Sequence, residues 1–431
     1  MAGARRKTLP PLGFPGAGAY HIMDVRVPVR CTDVTCDPDG EGCVRLDLTV
    51  GSDGRWEEVR PQGALSPRAP MVQAAGRQLW PGFVDIHAHL DKTATWHRAP
   101  NKDGTFDGAI DASREARRLP WSEDDVFARM EEAADEAYRM GTIAVRTHID
   151  SSLERGPVSW KAFRRLKTQW RKRLTIQGVV LFVAQDMMGE GGTRLARIAA
   201  DHGAAFGPVV YTSPSLEAEI ARAFELAERH GLDLDFHVDE AQGEAAHGLS
   251  AIADMALARK FRGRIVCGHA CSLSLHDDAA AARTIARLRE ANAGVVSLPA
   301  TNLYLQGRRP GRTPVWRGVT RLHELRAAGV PVAVAGDNRR DAFYPFGDYD
   351  MVDVFRDAIR IAHLDMPMAG WVDSVSRTPA SLMGFDDLAR LVPGAVADFL
   401  VFPNLSAAEV LAQRGHARQI VRHGKPLNGR P

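Results

Sequence analysis

The chain has 431 residues, of which 45% are apolar and 25% charged, the profile of a soluble globular protein with an ample core. Lys plus Arg number 55 against 53 for Asp plus Glu, so charge gives no sign of a nucleic-acid or other polyanionic partner. No stretch approaches the roughly eighteen apolar residues of a membrane span. Arg5, Arg6 and Lys7 run into Pro, Gly and Ala rather than an apolar core, so no secretory signal is expected. The five cysteines, Cys31, Cys36, Cys43, Cys267 and Cys271, are odd in number and sparse, and they read as reduced thiols of a cytoplasmic enzyme.

In chain order, residues 1–18 read as a flexible tail. Short β-like runs follow over 19–80, such as Ile22–Val27 and Val44–Val50, with Asp37-Pro38-Asp39-Gly40 as a turn. This unit is too thin to fold alone. Residues 393–431 offer two more strands, Gly394–Phe402 and Ala417–Gly424, so a small β-sandwich drawn from both chain ends is predicted. Between them, 81–392 alternates strand-like and helix-like segments. The predicted strands are Pro81–His89, Thr142–Asp150, Leu174–Gln185, Ala204–Tyr211, Leu232–Asp239, Arg264–His269, Gly294–Pro299 and Val330–Asp337. Eight such strands predict an α/β fold, a (β/α)8 barrel of the TIM type. Thr93 to Leu119 is polar and reads as a long active-site loop. Ser122 with Asp125 three residues on forms a capping signal for a helix running to about Met140. An open doubly wound sheet is disfavoured, because no glycine-rich phosphate loop follows the first strand.

The chemistry gathers at strand ends, as a barrel requires, since those ends converge on one mouth. His87 and His89 are two apart at the end of the first strand, so a β period sends both to one face. His148 and Asp150 end the second strand, Gln185 the third, His237 with Glu240 the fifth, His269 the sixth and Asp337 the eighth. Three imidazoles and one carboxylate suit zinc or iron(II) with a position left for water, which assigns His87, His89, His237 and Asp337 as ligands. Such an ion lowers the pKa of its water towards neutrality. His269, with Asp337, is placed to take that water's proton, and Glu240 to carry it to a ring nitrogen and then to a departing amine. His148 and Asp150 stand behind the ligands as supports. Lys92 offers a cation to a substrate carbonyl or carboxylate.

Taken together, Pro81-Gly82-Phe83-Val84-Asp85-Ile86-His87-Ala88-His89-Leu90-Asp91, Val145–Asp150, Ala184-Gln185, His237-Val238-Asp239-Glu240, Gly268-His269, Asn302–Arg308, Asp337, Tyr344–Gly347 and Gly394–Asp398 resemble the amidohydrolase superfamily, in the branch of bacterial cytosine deaminase. The resemblance implies a distorted barrel with a flanking β-sandwich, one divalent ion, and hydrolytic loss of ammonia from a cyclic amidine. It also implies a substrate-reading role for Gln185, the proton-shuttle role for Glu240, the water-activating role for His269, and a homo-oligomer. No lysine ends the fourth strand, where binuclear relatives place a carbamylated ligand. The chain departs from cytosine deaminases at Gly336-Asp337-Asn338, where they have His-Asp-Asp, at Phe343 for a tryptophan, and at Lys92 for a threonine. Lys92, Asn338 and Phe343 are therefore carried as substrate contacts. Asp91-Lys92 and the run Asp337–Asp341 look more like N-isopropylammelide amidohydrolases.

The sequence thus predicts a metal-dependent deaminase of cytosine or a related aminated pyrimidine, purine or triazine. The alternatives are hydrolysis of a cyclic amide or an N-alkylamino-triazine on the same scaffold, and a barrel that only binds a ligand.

Overall fold

The computed structural model describes residues 9–240, 243–412, 415 and 417–427. Four strands, β1 (Tyr20–Pro28), β2 (Cys43–Val50), β3 (Trp56–Pro61) and β4 (Met71–Pro81), lead into eight more. These are β5 (Phe83–Ala88), β6 (Thr142–Asp150), β7 (Thr175–Val183), β8 (Ala205–Val210), β9 (Leu234–Val238), β10 (Ile265–His269), β11 (Ala293–Ser297) and β12 (Val332–Val334). Three short strands, β13 (Phe399–Val401), β14 (Gln419–Arg422) and β15 (Lys425–Pro426), return to the first group. Strands β5 to β12 are parallel neighbours in sequence order. Helices between them include α1 (Phe106–Ala116), α2 (Glu123–Arg139), α3 (Gly156–Trp170), α4 (Glu190–His202), α5 (Leu216–His230), α6 (Gly248–Arg259), α7 (Asp278–Glu290) and α8 (Pro299–Leu305). This is the α/β barrel expected from the alternation. Among the described residues, no helix is long and apolar enough to cross a membrane.

The seam where the ring closes is irregular. Strand β12 has three residues, and it meets β5 through a single bridge, Ala88 to Asp337. Asp337 N donates to His87 O at 2.7 Å, and Gly336 N donates to the side chain of Asp85 at 3.2 Å. A carboxylate here does the work of a missing backbone carbonyl, and so the seam is welded beside the first-strand histidines.

The remaining strands form one sheet in the order β15-β14-β13-β4-β1-β2-β3. Residues 71–78 of β4 pair with β1 and residues 79–81 with β13, so this one strand passes from one layer of the expected sandwich to the other. The two layers meet again at their far edges, where Trp56 N donates to Ala395 O and the Trp56 ring lies 5.1 Å from that of Phe399. Residues 1–8 of the expected flexible tail lie outside the described residues. Its remainder is docked rather than loose: Leu12 and the Gln419 side chain exchange two hydrogen bonds, and the Phe14 ring packs edge-on against Phe399.

Thr93–Leu119, expected as a loop, contains α1. Thr105 caps it, its hydroxyl accepting from Gly108 N at 2.9 Å. The helix buries only Ala109 and Ala112, which is why hydrophobic periodicity did not reveal it. Ser122 caps α2 as expected, accepting from Asp125 N.

Candidate active site

The ends of the barrel strands gather the first candidate ligands. On β5 the register slips between Asp85 and Ala88, so Val84 and Ile86 pack inside the barrel with Ala144, Val266, Ala333 and Ala335, Asp85 turns to the seam, and His87 and His89, two apart, both reach the mouth. His237 on β9 brings its ring to 4.6 Å from that of His87 and 5.5 Å from that of His89. His89 Nε2 lies 3.2 Å from Asp337 Oδ1, and His87 Nε2 lies 3.6 Å from the same oxygen. The ligating atoms of His87, His237 and His269 fall within 4.8 Å of one another, as do those of His87, His89 and His148.

One residue reaches the mouth against the alternation. Gly268 already faces inward, because a Cβ there would lie 3.0 Å from the His87 ring, so strand geometry alone would turn His269 outward. His269 instead has φ +71, a left-handed conformation that swings its side chain back over the site, and Asp337 shares that conformation with φ +62. Strain of this kind is found at functional positions held by their surroundings.

All of these groups are buried: His87 is 0% exposed, and His89, His269 and Asp337 are 2% each. Burial pushes the imidazoles of His87, His89 and His237 well below their ordinary pKa, with neighbouring imidazoles adding to the effect, and pushes His269 down to about 4. The rings are therefore neutral, with lone pairs to give. Both ring nitrogens of His87 and His237, and both oxygens of Asp337, are buried without a hydrogen-bond partner among the described residues. Buried polar atoms are nearly always paired. A convergent set of orphaned imidazole and carboxylate atoms fits a divalent cation, the one ligand that all of them could share.

Glu240 follows β9 and closes the other side, Oε1 lying 3.5 Å from His269 Nδ1. Burial first, then the Asp337 charge, raises its carboxyl well above the usual range, so it holds a proton readily. His269 Nδ1 also lies 3.0 Å from the side-chain amide of Asn302 on α8, which fixes the ring. Asn302 opens the run Asn302–Arg308 that carries the resemblance, but nothing in the sequence assigned it a role, since it reaches the site from a helix after β11.

A cavity of about 590 Å³ opens from this cluster, lined by His89, His237, Glu240, His269 and Asp337 at its floor and by α1 at its mouth. Lys92, Asn338 and Phe343 line it as expected, with the Lys92 ammonium 4.6 Å above the Phe343 ring. Asn338 donates to Asp341 Oδ2 at 2.6 Å, and Asp341 in turn accepts from Phe343 N and Tyr344 N, which sets the loop that carries all three. Asp150 lines the wall near Arg117, and His148 sits beneath His87. Gln185 is the correction. Ala184–Met187 turns as a 3-10 helix, so Gln185 faces outward and donates to Glu219 on α5 at 2.7 Å, leaving Asp186 on the cavity wall.

Residues 108–427 match the sequence profile of the Amidohydrolase family. The chain belongs to the amidohydrolase family. Over 415 residues, 96% of the chain and 95% of the relative, it is 38% identical to a pterin deaminase of Rhizobium rhizogenes. It is 21% identical, over 82% of its length and 87% of the relative's, to an N-isopropylammelide isopropyl amidohydrolase of Pseudomonas sp. strain ADP. Among solved structures, a 5-methylcytosine deaminase of Klebsiella pneumoniae liganded with 5-fluorocytosine superposes with a TM-score of 0.81 at 23% identity, covering 95% of this chain and 98% of that one. The N-isopropylammelide isopropylaminohydrolase of Burkholderia multivorans gives 0.74 at 25% identity, with the same coverage. This amidohydrolase is thus a metal-dependent hydrolase of C–N bonds, built on a barrel that the other two structures share.

Proposed function

We propose that this amidohydrolase releases ammonia from an amino-substituted N-heterocycle, and that the ring is a fused, oxo-bearing one of the pterin type. The observation that carries the reading is Glu240, a protonatable carboxyl beside His269 and at the rim of the orphaned ligand set. We assign His87, His89, His237 and Asp337 to a single zinc or iron(II) ion, both of which accept three imidazoles and a carboxylate. Bound there, the ion would make a water acidic enough to attack near neutral pH.

His269 and Asp337 would take the proton released as a water's oxygen adds to the amino-bearing ring carbon. Glu240 would protonate the adjacent ring nitrogen, regain a proton from the adduct's hydroxyl as the C=O forms and pass it to the amino group; the C–N bond breaks with loss of ammonia, and the proton held by His269 and Asp337 returns to Glu240. Asn338 spends its NH2 on Asp341 and keeps its carbonyl oxygen to accept from a ring N–H. Phe343 offers an apolar face to a flat ring, and Lys92 a donor to a ring oxygen.

Two features favour a bicyclic ring over cytosine: the 38% identity to a pterin deaminase, and a cavity well within the size range of sites for larger ligands. The Asp337–Asp341 run supports a second reading, loss of an alkylamine from an N-alkylamino-triazine. We place the enzyme in the cytoplasm as a homo-oligomer acting on a small molecule. The test is ammonia release by the metal-loaded protein from pterin, cytosine, isoguanine and ammelide, and isopropylamine release from N-isopropylammelide, with Glu240→Gln as control. Turnover of a 2-amino-4-oxo bicycle at the highest kcat/KM is expected. Preferred release of isopropylamine would replace this reading with the second.

A further inference from the structure

We propose that Arg146, Asp235 and His148 form a positioning relay inside the barrel: Asp235, clamped by Arg146, holds the His148 ring, and that ring sets the plane of His87. The inference rests on the metal assignment of His87 made above. Barrel interiors are ordinarily filled by branched apolar side chains. This one holds an ion pair, Arg146 Nη1 to Asp235 Oδ2 at 2.6 Å, with the two side chains 1% and 0% exposed.

Arg146 and His148 alternate on the inward face of β6, as Asp235 and His237 do on β9, so each strand carries one member of the pair one layer below a histidine of the site. Arg146 is itself pinned, its Nε donating to Gln177 Oε1 at 2.8 Å. The second oxygen of Asp235 lies 3.2 Å from His148 Nε2. An ionised carboxylate can only accept, so it takes a hydrogen bond from Nε2–H and holds the ring by that edge. The His148 ring lies 3.9 Å from that of His87, tilted by 31°, a near-stacked plate. Like His237, His87 has no hydrogen-bond partner on either ring nitrogen among the described residues, so no hydrogen bond orients it. Ligating histidines are usually aimed by a hydrogen bond from the far ring nitrogen to a carboxylate or carbonyl. Here the carboxylate acts one ring removed, through packing.

The experiment measures metal binding directly, by chelator competition and by the visible spectrum of the cobalt(II)-loaded protein, in full-length His148→Ala and in the double variant Arg146→Met/Asp235→Leu. His148→Ala keeps the ion pair, and the double variant removes both buried charges together, a replacement that is often neutral for folding. Each is expected to melt cooperatively, to bind metal about 10–100-fold more weakly, and to shift the cobalt spectrum. Excess metal should restore turnover with KM unchanged. A variant that folds, binds at the wild-type constant and keeps the wild-type cobalt spectrum overturns the relay. Should His148→Ala fail to melt cooperatively, the double variant decides by the same readings. A wild-type protein that takes up no metal would instead refute the metal assignment, and the two failures are told apart before any substrate is added.

Discussion

Gly268→Ala is the most direct probe of how tightly the ligand set is packed. The new Cβ would stand 3.0 Å from His87 Cε1, 3.2 Å from Nδ1 and 3.3 Å from the Phe236 carbonyl oxygen. Carbon contacts are comfortable at about 3.5–4.0 Å, so the ring must give by roughly half an ångström. It has little room to do so, because the His148 ring lies 3.9 Å from it. Ligand bonds tolerate errors of only about 0.2 Å around a Zn–N distance near 2.0–2.1 Å, so a displacement of that size breaks the geometry of one ligand in four. Overpacking costs about 1–3 kcal/mol. For a chain of this length that corresponds to a fall in Tm of roughly 1–3 °C, small enough to leave a folded protein. Metal affinity by chelator competition should drop about 10–100-fold while far-UV circular dichroism is unchanged. Wild-type metal affinity in folded Gly268→Ala would show that His87 does not sit where a ligand must.

Glu240→Gln should lower kcat by about 10²–10⁴-fold with metal content unchanged, the loss expected for a proton-transfer group, checked by steady-state kinetics and metal analysis. Asn302→Ala frees His269 to rotate and should reduce kcat more than it changes KM, with an altered pH profile. Removing the metal should lower Tm by roughly 4 °C if free metal stands about a thousandfold above its Kd, and re-addition should reverse the change. Burial raises Asp341 from 3.8 to about 6. A carboxyl whose folded pKa is raised contributes stability that is complete below the unfolded value and lost as pH rises through the folded one. In chelated protein, Asp341→Asn should therefore gain up to about 3 kcal/mol at pH 8 and nothing at pH 4, read as the difference between the two melts.

The barrel was legible because a parallel sheet needs apolar runs of a few residues between amphipathic helices, and all eight runs are present. The cluster that we assign to a metal was legible because His87 and His89 are two apart, and because His237 and Asp337 fall where such strands end. What the sequence left hidden depended on local turns or on distance along the chain. Gln185 stands at a strand end in sequence, yet the 3-10 turn over Ala184–Met187 rotates it to the outside. Helix α1 buries two alanines and so carries no apolar stripe. Asn302 and Asp235 matter only through residues far away in sequence, His269 and His148. The irregularity of β4 at Ala75 and Gly76, both at positive φ, and its change of partner after Gln78 are features that no hydrophobic pattern reports.

The pairs Gly268-His269 and Gly336-Asp337 show how a regular barrel yields an irregular site. At 268 the glycine occupies the inward position, where a Cβ would meet the His87 ring; at 336 a Cβ would lie 2.9 Å from Asp85 Oδ2 and 3.8 Å from Val354, on the helical side of the strand. In each pair the next residue makes a left-handed backbone turn, and its side chain stands over the site. That turn costs a non-glycine residue about 1–2 kcal/mol. At Asp337 the cost is met by the hydrogen bond from its own N–H to His87 O, the same bond that closes the ring. Closing the barrel and aiming the carboxylate are one event, and so a change that loosens the seam at β12 must also loosen the ligand. At His269 the turn continues through Ala270, whose N–H returns to Val238 O on the neighbouring strand that carries His237. His269 and His237 are thereby tied through backbone, and the distance between them is set by the sheet rather than by either side chain.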